Sequence, residues 1–131
     1  VENIFKIIIM FMGSVLSFLF GGWNGLLNAL LFFVIIDYLS GILASWIEGA
    51  LNSMVGYKGV AKKIGIFAIV AVAHVIDSTL GDSHFIRDAA IFFYLANELL
   101  SITENAGRIG VPIPPAVKNA VQVLRGKGDQ Q

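Results

Sequence analysis

Cysteine is absent from the 131 residues. That excludes a disulfide framework, a thiolate metal site and a cysteine nucleophile, and is compatible with either side of a membrane. Charge is scarce too, at 14%, where soluble domains average about 25%. Nine basic and nine acidic residues cancel, so net charge offers nothing to a nucleic acid. Prolines number three, at Pro112, Pro114 and Pro115, and deny a helix there. Period-two alternation is missing, and so are a P-loop, a GxSxG elbow and an HExxH pair. His74 and His84 stand apart and the carboxylates are scattered. No enzyme, cofactor or metal site is expected from such a pattern.

What the chain does have is apolar surface: 56% of its residues are hydrophobic. Small domains bury only about 60–70% of their surface, so a water-facing globule of this length could not hide it. A bilayer is the natural alternative solvent. Four apolar runs stand out, at about 4–20, 24–47, 64–80 and 85–104. A spanning helix takes about 20 mostly apolar residues, and only helices or closed barrels satisfy the backbone in lipid. The expectation is an all-α membrane protein, residues 1–131 forming one domain with four transmembrane helices. In the alternative, the first run lies in the interface and three helices span. The first twenty residues overlap with signal-peptide grammar, but a second apolar run follows almost at once.

Charge sets the expected orientation. The basic loop 48–63 carries Lys58, Lys62 and Lys63 against Glu48. The tail 106–131 carries Arg108, Lys118, Arg125 and Lys127 against Asp129. The positive-inside rule places both in the cytoplasm, with the N-terminus on the same side if there are four spans. These basic residues would lie against an anionic inner leaflet. Trp23 and Trp46 fall near segment ends, where indoles favour the interface. A short amphipathic helix is expected over 116–124.

The polar residues inside the runs carry the functional question. Asp37 sits midway along the second run, where a charge costs about 2.5–3.5 kcal/mol on insertion scales. It faces other helices or a water path, or it is a hydrogen-bonded packing residue. Gly41, Ser45 and Gly49 recur every four residues, a small-residue face that lets helices approach closely. His74 and Asp77 share a face, as a proton relay or, more simply, as a local hydrogen bond. By depth, Asp77 or Asp88 would pair with Arg87, and Glu98 with Lys62 or Lys63. Asn97, Glu98, Ser101 and Asn105 form a polar stripe on the fourth run. Such a stripe meets water in an oligomer with a wet interior, or it is buried within one bundle.

Three stretches, "VIIDYLSGILASW", "GYKGVAKKIGIFAIVAVAHVID" and "IRDAAIFFYLANELLSITENAGRIGVPIPPAV", resemble the phage holin family that includes toxin-secretion and phage-lysis holins. The resemblance runs from about Gly21 to Leu124. Its pattern points to Asp37, Gly41, Lys58, Gly59, Lys62 and Lys63, then Asp77, Arg87, Asp88, Asn97, Glu98 and Ser101, then Glu104, Asn105, Pro112 and Pro114, without assigning their roles. It implies a small multi-pass protein of the bacterial cytoplasmic membrane that self-associates and permeabilises it. A cell-wall hydrolase (endolysin) or a toxin then escapes, without necessarily binding the protein directly. The expected partners are therefore membrane lipid and further copies of the chain, not nucleic acid. Two other functions fit the same residues. One is an antiholin that regulates a holin; the other is a small ion or proton channel subunit using Asp37, His74 and Asp77.

Overall fold

The structure, a computed structural model, describes residues 1–81 and 83–129, with side chains described through Val123 apart from residue 82. It is all-helical. Five helices follow one another: α1 (Glu2–Phe20), α2 (Gly25–Ile47), α3 (Ser53–Leu80), α4 (Phe85–Ile109) and α5 (Pro115–Asp129).

Their boundaries follow from local chemistry. The Asn24 side chain caps α2 by accepting from Leu27 N–H at 3.1 Å, and Asn52 caps α3 by accepting from Val55 N–H at 2.9 Å. Asparagine suits these positions because its side-chain oxygen satisfies an amide that the helix leaves unpaired. Glycines Gly21 and Gly110, at φ +71° and +95°, end α1 and α4 in the left-handed region, as C-terminal glycines commonly do. Proline at the start of α5 sits where its missing N–H costs nothing.

Packing is built around α4, which lies against both α2 and α3; those two meet less extensively, around Tyr38 and Lys63. One apolar layer fills the interior: Phe20, Leu27, Leu30, Val34, Ile66, Val70 and Ile91. α5 rests on α4, with Val121 buried. α1 lies against α3 and buries only Phe20. Its consecutive residues Ile7 to Met12 are all exposed.

Among the described residues, three helices, α1, α2 and α3, are long and apolar enough to cross a membrane. α4 is not among them, since Arg87, Asp88, Glu98, Glu104 and Arg108 interrupt it.

The helix bounds differ from the sequence expectation in three places. The basic loop contracts to 48–52, because Asn52 starts α3 eleven residues earlier than residue 64. Gly56 and Gly59 let this added stretch approach Tyr38; a Cβ at Gly59 would lie 3.1 Å from the tyrosine ring. α4 runs to Ile109, past the expected residue 104. α5 spans Pro115–Asp129 and is longer than the expected 116–124.

Candidate functional site

Buried charge collects in two layers, one on each side of the apolar core. One layer is a triad contributed by three helices. Asp37 comes from the middle of α2, Lys63 from α3 and Glu98 from α4. Lys63 Nζ donates to Asp37 Oδ2 and to both Glu98 oxygens, at 3.0 and 2.9 Å. Asp37 is 4% exposed and Glu98 3%, so neither carboxylate depends on bulk solvent for its partner. Ser101 Oγ donates to Asp37 Oδ1 at 2.5 Å, and Asn105 Nδ2 donates to the same oxygen at 3.0 Å. Asn105 also donates to Asp37 O and to Ser40 Oγ. Two carboxylates face one ammonium, and all four carboxylate oxygens accept from protein donors. Buried ions of this kind are tolerable only when paired and further hydrogen-bonded.

A polar relay links the triad to the C-terminal ends of α2 and α4. Arg108 donates to Asn105 Oδ1 at 3.2 Å, to Ser45 Oγ at 3.4 Å and to Glu48 Oε1 at 2.6 Å. That bond holds the Glu48 carboxyl below its ordinary range.

The other layer, outer on the orientation expected from the sequence, ties three helix ends together. Both Asp77 oxygens accept backbone N–H groups of α4, from Ile86 at 3.0 Å and Arg87 at 2.8 Å. Asp77 thus caps α4 from the neighbouring helix, where His84 at the cap position, with φ +56°, makes no side-chain cap bond. A carboxylate there also meets the positive end of the helix dipole. Arg87, 3% exposed, reaches back to α1. Its Nη1 donates to Phe20 O at 2.8 Å, while Nε and Nη2 bind Asp88 Oδ1 at 3.1 Å. His74 stacks on His84 at 5.9 Å and presses on Gly21, where an added Cβ would lie 2.4 Å from the ring. His74 Nδ1 is buried with no hydrogen-bond partner among the described residues, and Nε2 is 3.4 Å from Ser78 Oγ.

Several residues singled out from the sequence therefore meet. Glu98 finds Lys63, Arg87 finds Asp88, and Asp37 joins Ser101 and Asn105 of the polar stripe. The stripe divides: Glu98 and Asn105 are buried inside the chain, Ser101 is half-buried and Asn97 is exposed, as is Glu104 outside the stripe. Lys63 departs from its expected place among the leaflet-facing lysines. It turns inward because the glycines before it bring α3 close to α2. Lys58, Lys62 and Lys118 remain exposed. The side chains of Arg125 and Lys127 lie outside the described residues. His74 and Asp77 share no hydrogen bond; Asp77 instead serves the α4 backbone. Gly49 is not part of the α2 face. The helix ends at Ile47, and Gly49, at φ +71°, forms the turn in which Ala50 N–H donates to Ser45 O. Gly41 and Ser45 face α4, with Gly41 against Asn105. Sequence spacing missed the cross-helix cap by Asp77 and the partnership of Ser40 with Asn105, since both depend on helix rotation rather than on periodicity.

A model of the bacteriophage holin family matches residues 14–126. An uncharacterized protein of Listeria innocua is 48% identical over 131 residues, covering 99% of this chain and 94% of the relative. An uncharacterized 14.9 kDa protein from the nagH 3' region of Clostridium perfringens is 35% identical over 130 residues, covering 96% and 98%. A probable holin of Bacillus phage phi105 is 35% identical over 105 residues, covering 80% of this chain and 78% of the relative. No solved structure gives a significant match.

Proposed function

The chain belongs to the bacteriophage holin family, and from that premise we propose that it acts as a holin: copies assemble in the bacterial cytoplasmic membrane and permeabilise it, releasing a cell-wall hydrolase or a toxin. The family match over residues 14–126 carries this proposal. On this reading α4 is a fourth span. Its 25 residues reach about 37 Å at 1.5 Å per residue, enough for a hydrocarbon core of about 30 Å. Arg87, Glu98 and Asn105 turn inward and Phe85, Phe92 and Phe93 turn outward, although Asn97, Glu104 and Arg108 are exposed as well. Averaged hydropathy counts the inward groups as though lipid touched them.

α1 is the remaining span. Its mean hydropathy of 2.0 is that of a spanning segment, and the six consecutive residues Ile7 to Met12 are apolar and exposed, which supports a span over an interfacial helix. Four spans put both ends on the cytoplasmic side, with Lys58, Lys62 and Lys118 beside the inner leaflet. Self-association then uses outward faces, because the triad's polar groups are already paired within one chain.

Inducible expression in a bacterial host tests the proposal, with and without a separate hydrolase that lacks an export signal. The chain alone is expected to stop growth, and the pair to clear the culture rapidly. Normal growth with the protein verified in the membrane would overturn it. Delay of lysis by another holin would instead identify an antiholin. The buried ionic triad favours a second reading, a small ion channel. Ion flux through proteoliposomes without leakage of large dyes would support that reading.

A further inference from the structure

We propose that the cavity between α3 and α4 is a water-filled vestibule, open to the inner face only, that draws small hydrophilic cations to the Asp37–Lys63–Glu98 triad. This rests on the reading that α2, α3 and α4 span the membrane with Glu48 and Arg108 at its inner side. The cavity measures about 330 Å³, and Lys62, Tyr94, Asn97, Ser101 and Glu104 line it above a floor formed by the triad. That volume holds roughly ten waters at about 30 Å³ each. Its lining mixes these polar groups with Ile66 and Leu100, and at a depth where lipid offers no hydrogen bonds the polar part is sustained only by protein or water. A second cavity of about 190 Å³ reaches the triad from the α2 side, past Ser45, Asn105 and Arg108. The two cavities share Asp37, Lys63 and Ser101, so the triad stands between two polar spaces.

Beyond the triad the way is closed. Leu27, Leu30, Val70 and Ile91 are 0% exposed and fill the section toward the outer layer. Water therefore enters from one side. The floor's charge sets which solutes follow. At the rim, Lys62 and Glu104 offset one another; at the floor, two carboxylates stand against one ammonium. With both carboxyls ionised the excess is negative, and a cleft of one sign within low-dielectric walls concentrates counter-ions. The site attracts a cation without fixing one, because Lys63 occupies the centre and every carboxylate oxygen already accepts a hydrogen bond.

The absence of native cysteine makes the test direct. Single-cysteine variants N97C at the mouth, S101C near the floor, I91C in the seal and V72C on the outward face of α3 would be placed in membrane vesicles. Each is treated with a cationic and an anionic methanethiosulfonate of similar size. In inside-out vesicles, N97C and S101C are expected to react while I91C and V72C do not. The cationic reagent should react with S101C on the order of tenfold faster. In right-side-out vesicles S101C should be inert. Adding E98Q to S101C should abolish the cationic preference. If S101C and N97C were as unreactive as I91C, the vestibule would be refuted. Equal rates for the two reagents at S101C would overturn the cation selection. Reaction at V72C would refute the membrane embedding itself, and the vestibule with it.

Discussion

Lys63 balances the triad alone. Replacing it by methionine leaves Asp37 and Glu98 facing each other in a buried site, and loss of one partner from such a pair costs about 3–5 kcal/mol. We expect Lys63→Met to lower the unfolding midpoint markedly in detergent, followed by circular dichroism. Replacing all three residues together, as Asp37→Leu, Lys63→Met and Glu98→Leu, should cost far less than Lys63→Met alone, since apolar packing often equals a buried ionic cluster. Glu48 gives a pH-dependent prediction. Its carboxyl is held below its ordinary value of 4.5 by the bond from Arg108. The stabilisation is therefore present above that value and disappears as the pH falls through the lowered one. Glu48→Gln should be slightly less stable than the parent at pH 7, and the two thermal midpoints should converge in strong acid. Asp37, Glu98 and the stripe were legible in the sequence because charge inside an apolar run is conspicuous. Lys63 was less legible: its neighbours Lys58 and Lys62 do face outward, and only the rotation of α3 separates them.

At the level of elements, one guanidinium fastens α1 to the bundle. Arg87→Ala removes the bond to Phe20 O, and a hydrogen bond to a charged group contributes about 1.5–3 kcal/mol. Amides of residues 18–24 should exchange hydrogen at least about tenfold faster in Arg87→Ala, while Val70 and Ile91 keep their protection. Arg87→Lys should not restore the parent rate, because an ammonium cannot reproduce the planar fork that reaches Phe20 O and Asp88 together. Helix type was plain from the length of the apolar runs. The start of α3 was not, because lysines and glycines in "GYKGVAKK" resemble a loop until the Asn52 cap and the packing on Tyr38 are considered. On α4 a count of charges carries no direction: Arg87 and Glu98 are buried while Glu104 and Arg108 are exposed.

Across the whole molecule, stability resides in α2, α3 and α4. A chain beginning at Phe20 keeps the one residue of the first helix that enters the core. Removal of residues 1–19 should leave the bundle folded in detergent, with its unfolding midpoint close to the parent's by circular dichroism. A large loss of structure in that truncation would show that α1 supports the bundle. The attachment of α1 also has an evolutionary consequence. Arg87 grips main-chain oxygen, which every amino acid supplies in identical form. The mooring therefore places no demand on which side chains the first helix carries, apart from the room required at Gly21. Lineages can rewrite the lipid-facing letters of that helix, tuning it to a new membrane, without having to reinvent its anchorage.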